Sequence, residues 1–253
     1  MYVERFGDGE KIYLGLHGWG GDRRVFAPID RFVPPGASFY SADLPGVSLS
    51  PAPQAWSVDE ILNEISETIS AYANPRATLV GHCGGAIFAL LAAIKEENRI
   101  ERIVMIDPFA YLPRYFKIFL NRTIGDRAYH ATFANPLGRW LTNTALRAHR
   151  EGETDLTKAF RSTDHETARN YLALFAEMER IRIPANFRLE IDLIYGEKSF
   201  GAVKRSVGIL QNLLPQTQVR PLKGAAHMPF EEATEELCRI IFAPEMSADL
   251  RQK

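Results

Sequence analysis

Short apolar runs alternate with longer stretches of helical periodicity along most of the chain. Ala77–Gly81 and Ile103–Ile106 are continuous apolar runs, as expected of strands buried on both faces. Behind Ser57-Val-Asp-Glu60, which has capping-box spacing, Ile61, Leu62, Ile65, Ile69 and Tyr72 recur at helical intervals. Gly84 to about Lys95 predicts a second helix, of small and apolar residues. Nearer the N-terminus, strands are predicted over Tyr2–Phe6, Lys11–Leu16 and Ser38–Asp43. Gly7-Asp8-Gly9-Glu10 between the first two predicts a hairpin, because Asp-Gly tolerates positive φ.

The alternation stops at Pro108 and resumes after Pro184. Between them the pattern is helical and aromatic, with breaks at Pro113, Gly125, Asn135-Pro-Leu-Gly138 and Gly152. A strand at Leu189–Tyr195, a helix around Val203–Leu214, a strand at Gln218–Pro221 and a helix around Glu231–Phe242 follow. Met246 onward is polar and expected to fray. Such alternation argues an α/β class with a mostly parallel twisted sheet flanked by helices. The expected division is a core of residues 1–107 and 185–253 and a helical insertion of 108–184, entered after a strand ending at Asp107. Ligands of such sheets bind beyond the carboxyl ends of the strands.

Composition removes several function classes. Hydrophobic residues make up 46% and charged residues 24%, which fits a globular chain and excludes disorder. A net charge of -1 excludes a global nucleic-acid-binding charge. The longest apolar stretch, Gly84 to Ile94, is too short to span a bilayer, so no membrane span is expected. Met1-Tyr-Val-Glu-Arg5 lacks the head of a signal peptide, and the two cysteines, Cys83 and Cys238, make a weak case for a disulfide. A reducing, cytoplasmic location is the expectation.

Three loops carry candidate chemistry. In Gly81-His82-Cys83-Gly84-Gly85 a strand enters a helix through one tight turn, with small residues two before and two after the cysteine. That packing forces the central side chain out of the turn, as in a nucleophile elbow with cysteine in place of serine. A thiolate forms readily beside a protonated histidine or a helix N-terminus. A buried structural thiol in a glycine turn is the competing reading. The loop His17-Gly18-Trp19-Gly20-Gly21 can bring backbone close to a ligand, so the Trp19 and Gly84 N–H groups form a candidate oxyanion hole. His17 itself reads as scaffold. Third, His227 in Gly224-Ala-Ala-His-Met-Pro-Phe230 lies between the last strand and the last helix, before Glu231 and Glu232, where a general base is expected. His82, His130, His149 and His165 fit no ligand spacing, so no metal site is proposed.

Taken in order, His17-Gly18-Trp19-Gly20, Asp43-Leu44-Pro45-Gly46-Val47-Ser48, Gly81-His82-Cys83-Gly84-Gly85 and Ala226-His227-Met228-Pro229-Phe230 resemble the α/β-hydrolase superfamily from about Lys11 to Phe242. The insertion then corresponds to that family's helical cap. His-Gly-Trp-Gly and Ala-Ala-His-x-Pro-Phe are most similar to the pimeloyl-[acyl-carrier protein] methyl ester carboxylesterase group. A cysteine nucleophile is instead similar to dienelactone hydrolases, polyester synthases and some macrocyclising thioesterases. The resemblance implies an acid after the penultimate core strand, yet that turn reads Gly196-Glu-Lys-Ser-Phe200, with Ser199 where an aspartate is usual. Asp107 can replace it, as the strand-end acid does in dehalogenase-type members. Glu197, or a cysteine–histidine dyad without an acid, also stays open, as does a capping role for Asp107 before Pro108.

From Pro108 to Arg150, Arg114, Lys117, Arg122, Arg127, Arg139, Arg147 and Arg150 face the single acid Asp126, a net charge of +6. Phe109, Tyr111, Tyr115, Phe116, Phe119, Tyr129, Phe133 and Trp140 share the stretch. Aromatics inward and basics outward predict an apolar acyl pocket beneath a cationic rim, suited to a carrier-protein- or coenzyme A-linked acyl substrate. A solvated basic face over ordinary packing competes. The expectation is a hydrolase of ester or thioester bonds working through a Cys83–His227 acyl-enzyme, without metal or organic cofactor. Acyl transfer or cyclisation by the same acyl-enzyme, and a non-catalytic ligand-binding protein, are the alternatives.

Overall fold

A computed structural model of the chain describes residues 1–147, 154–180 and 182–244. Seven strands form one sheet: β1 (Val3–Gly7), β2 (Lys11–Leu16), β3 (Ala37–Ala42), β4 (Ala77–His82), β5 (Ile100–Ile106), β6 (Glu190–Gly196) and β7 (Gln218–Leu222). Their order is β1-β3-β2-β4-β5-β6-β7, parallel throughout except for the β1–β3 pair. The predicted hairpin is therefore wrong. β1 pairs with β3, and β3 lies between β1 and β2. Gly9 and Lys11 donate their N–H groups to Ala37 and Gly36 instead, so the Asp-Gly turn carries the chain across the end of β3 rather than folding it back on β1.

Alternate residues of the central strands feed two cores. Leu14, Leu79, Ile103 and Leu193 pack with α1 (Val58–Tyr72) and α2 (Gly84–Lys95) on one face. Their neighbours Tyr13, Val80, Val104 and Ile194 pack with Phe26 and Ile29 on the other, alongside Leu237 and Ile241. Both faces are thus covered, as parallel sheets require. Ser57 caps α1 by accepting the Glu60 N–H at 3.2 Å. A 3-10 helix over Arg23–Phe32, with Pro28 inside it, was not foreseen. The last helix is two pieces, α8 (Pro229–Glu232) and α9 (Thr234–Ile241), broken at Ala233 (φ -148, ψ 43). Between β6 and β7 lies α7 (Gly201–Leu213).

Between β5 and β6 the described residues hold helices and no strand: α3 (Arg114–Lys117), α4 (Gly125–Tyr129), α5 (Pro136–Arg147) and α6 (His165–Glu177), with single helical turns among them. They build their own core of Leu112, Phe119, Tyr129, Phe133, Phe160, Ala168 and Leu172, into which Trp19 packs. The predicted break at Gly152, the cation Arg150 and the tail from Met246 lie outside the described residues. No helix among the described residues is long and apolar enough to cross a membrane.

Candidate active site

β4 ends at His82 and α2 begins at Gly84, so the whole turn is one residue, Cys83. Its backbone takes φ 55 and ψ -119, a region L-residues avoid and functional turns often keep. The flanking glycines explain themselves by contact. A Cβ on Gly81 would stand 2.4 Å from the Ala86 Cα, and one on Gly85 would stand 2.3 Å from the Leu16 and His17 carbonyl oxygens. Cys83 is a free thiol, partly exposed. Cys238 is buried in α9, and burial pushes its thiol up to about 12.

The adjacent strand ends in a second residue at positive φ, Asp107 (φ 45), fully buried. Its N–H bonds the Ile194 carbonyl at 2.8 Å, which turns the side chain toward the carboxyl ends of the strands. Asp107 Oδ1 accepts the Gly196 N–H at 2.8 Å; Oδ2 accepts the Ser199 hydroxyl at 2.5 Å and the His227 Nδ1–H at 2.9 Å. A carboxylate on Nδ1 leaves Nε2 as the nitrogen available to the Cys83 sulfur. Burial disfavours a charged His227, but hydrogen bonds and charges from Asp107 and Cys83 outweigh it and push the ring up to about 10.

Of the groups considered for the acid, the structure brings Asp107 to His227. Ser199 hydrogen-bonds Asp107, and Glu197 is exposed, its N–H joined to Leu222. His17 donates from Nδ1 to the Gly18 carbonyl at 2.9 Å and accepts the Leu44 N–H at 3.0 Å, so it bridges two loops as scaffold. Burial lowers its pKa, consistent with the neutral ring this pairing needs. Among the described residues no group of three or more His, Cys, Asp or Glu is placed to hold a metal ion.

Cys83, His227, Trp19 and Gly84 all line one cavity of about 890 Å³, within the usual range of ligand pockets. Its walls include Phe109, Tyr111, Tyr115, Phe116, Phe119 and Phe133, as the aromatic run suggested. Trp140 departs from that reading, standing 63% exposed, and Tyr129 is buried in the helical core. The expected cationic rim needs correction. None of Arg114, Lys117, Arg122, Arg127, Arg139 and Arg147 lines the cavity; Lys117 pairs with Glu179 at 2.9 Å, and Arg139 donates to the Phe133 and Ala134 carbonyls. The charged lining is mixed: Arg24 and Lys158 with Asp22, Asp155 and Glu231. Sequence reasoning also missed Phe160, Phe175 and Phe200, which come from outside the aromatic run, and His82, whose ring sits 5.2 Å from that of His227.

Comparison with known proteins identifies the family and the fold. Residues 14–240 match the model of the "Alpha/beta hydrolase family". The chain is 26% identical over 262 residues to a "Pimeloyl-[acyl-carrier protein] methyl ester esterase" of Aeromonas hydrophila, covering 94% of this chain and 96% of that one. It is 24% identical to the protein of the same name from Aeromonas salmonicida, with the same coverage. Among solved structures, MenH from S. aureus superposes with a TM-score of 0.74 at 16% identity, covering 96% of this chain and 97% of that one. A thermophilic esterase from Thermogutta terrifontis gives 0.73 at 16% identity, covering 97% and 93%. With the sheet order, the strand-to-helix turn at Cys83 and a family match across most of its length, the chain belongs to the alpha/beta hydrolase family.

Proposed function

We propose that the protein hydrolyses an ester or thioester through a covalent acyl-enzyme on Cys83, with His227 as base and acid and Asp107 as the residue orienting His227. In this reading residues 108–184 act as a cap over a core of 1–107 and 185–253, and the aromatic cavity holds the acyl group. The observation that carries it is the 2.9 Å contact of Asp107 Oδ2 with His227 Nδ1, in a cavity that Cys83 also lines. The names of the Aeromonas relatives favour a methyl ester of a carrier-bound acyl chain as the substrate class.

In the first half-reaction His227 holds Cys83 as thiolate or removes its proton, and the sulfur attacks the carbonyl carbon. The carbonyl electrons move to oxygen, where the Trp19 and Gly84 N–H groups stabilise the charge. Collapse forms the thioester to Cys83 and breaks the bond to the leaving alcohol or thiol, which takes its proton from His227. In the second half-reaction His227 takes a proton from water, water oxygen attacks the thioester, and the acid departs as the sulfur is regenerated. An alcohol or amine in place of water gives acyl transfer by the same steps, and a thioester intermediate favours such acceptors. The scheme uses no metal or organic cofactor.

Intact-mass measurement after a pulse of activated ester tests it. One acyl adduct is expected on the wild type and none on Cys83→Ala; an adduct on both overturns the assignment. Product analysis with and without an added alcohol or amine separates hydrolysis from transfer.

A further inference from the structure

His227 stands in a loop between β7 and α8 whose main chain bonds partly to backbone, the Ala225 carbonyl accepting the Lys198 N–H and the Met228 carbonyl those of Glu231 and Glu232. Two side chains hold the polar groups nearest the histidine. The Glu232 carboxylate accepts from the residues on either side of the histidine through a single oxygen: Oε2 takes the Ala226 N–H at 2.8 Å and the Met228 N–H at 3.2 Å. From the opposite flank the His82 ring, Nε2 donating, holds the His227 carbonyl oxygen at 3.0 Å. Burial, reinforced by the charge of His227, pushes His82 down to about 3, so that ring is neutral and its Nε2–H is fixed by the carbonyl it faces. Glu232 is itself held in place, because its other oxygen, Oε1, accepts the Thr154 hydroxyl at 2.6 Å, from a bend of the insertion that also lines the cavity.

We infer that Glu232 is a positioning residue for His227: its carboxylate oxygen grips the N–H groups before and after the histidine and so sets where the imidazole stands between Asp107 and Cys83. The grip depends on an acceptor oxygen reaching both N–H groups at once. It does not depend on the charge of Glu232 acting on the imidazole, whose neighbours in that respect are Asp107 and Cys83. The inference rests on the reading of His227 as the catalytic base.

The test compares Glu232→Ala, Glu232→Asp and Glu232→Gln with the wild type. Acylation of Cys83 by a p-nitrophenyl ester, the pH profile of Cys83 alkylation by iodoacetamide, and Tm are measured on each. Glu232→Ala is expected to slow acylation about 10–100-fold, the scale of a misplaced catalytic group, with little change in the ester concentration giving half-maximal acylation. Its alkylation profile should shift, because the imidazole no longer faces the sulfur in one position. Glu232→Gln keeps an oxygen for both N–H groups and should acylate near the wild-type rate. Glu232→Asp, one methylene shorter, keeps the charge but not the reach, and should fall between; it also carries the test if the alanine variant fails to fold. Wild-type acylation in Glu232→Asp, or a glutamine variant as slow as alanine at wild-type Tm, overturns the inference. Loss of activity in Cys83→Ala and His227→Ala separates this result from the reading beneath it. If those two variants keep activity, the catalytic reading falls; if they lose it and Glu232→Ala does not, only the positioning role falls.

Discussion

The Ser199 hydroxyl donates to Asp107 Oδ2, the oxygen that also receives the His227 imidazole. Ser199 occupies the turn where an aspartate is usual in this family, and the carboxylate stands instead at the end of the neighbouring strand β5. Ser199 meets Asp107 and not the ring, so in the proposed reading the acid stands one strand over while the turn after β6 supplies it a donor. With the Gly196 N–H on Oδ1, Asp107 accepts three hydrogen bonds in a fully buried place.

Asp107→Asn should therefore slow acylation by about 10²–10⁴-fold, the range in which positioned acid–base groups act. Glu197→Gln, at an exposed position, should leave it unchanged. Burst kinetics with an activated ester measure both; equal rates for wild type and Asp107→Asn would point to a cysteine–histidine dyad.

The two thiols should part under iodoacetamide. Cys83 lines the cavity and is expected to alkylate in the folded protein, whereas Cys238, 3% exposed and raised to about 12, should label only on denaturation. Peptide mapping distinguishes them, and labelling of Cys238 under native conditions would contradict its packing in α9.

Stability should carry the mark of His227. Its folded pKa, about 10, lies above the ordinary 6.5, so the charged ring stabilises the fold fully below about pH 6.5 and that contribution is lost as pH rises toward 10. Urea midpoints measured from pH 6 to 10 should fall in the wild type. In Asp107→Asn the fall should be smaller, since the main hydrogen-bond partner of the imidazolium has lost its charge.

Gly18 packs on Cys83, the proposed nucleophile: a Cβ there would lie 2.6 Å from the Cys83 Cβ and 3.4 Å from its sulfur. Gly18→Ala should push Cys83 off its line to His227 and slow acylation by about 10²-fold, the loss expected for a displacement of about 1 Å. Tm should fall as well, because the Cys83 Cβ moves only with its backbone and the His82 carbonyl oxygen lies 3.2 Å from the added methyl. Rates and Tm measured together check both effects.

Arg114, Arg122 and Arg127 are exposed and lie off the cavity lining. If this face receives an anionic carrier, reversing the three to glutamate should raise KM for a carrier- or coenzyme A-linked substrate and spare a small neutral ester. Added salt should do the same to the wild type, since exposed charges are screened beyond about 8 Å at physiological ionic strength.

What could be read from the chain alone was what is local. Ser57 as a cap, Gly81 before the turn at Cys83 and the apolar runs of the central strands each depend on neighbours a few residues away. The false hairpin shows the limit: Gly7-Asp8-Gly9 has turn chemistry, but strand order is decided by β3, some 30 residues later, which inserts between β1 and β2. Asp107 was legible only as one of several acids, because its partner His227 is 120 residues away. The helix faces of the 108–150 stretch were illegible for another reason. Helices as short as Arg114–Lys117 have no stripe from which to read an inward side.

Trp19 ties the two halves of the molecule at the catalytic centre. Its main chain belongs to the loop after β2, while its indole Nε1–H reaches the Ala168 carbonyl of α6 at 2.7 Å, and its ring stacks edge-on against Phe116, Phe133 and Phe160 at 4.9–5.2 Å. The helical insertion is thus pinned through the residue whose amide, in the proposed scheme, faces the reacting carbonyl. Removing residues 108–184 would strip that indole of its ring neighbours and of its Ala168 partner. It would also take Tyr171, Leu174 and Met178 out of the core that packs on α1 and α2, so the insertion is part of the fold beneath it as well as a wall of the cavity.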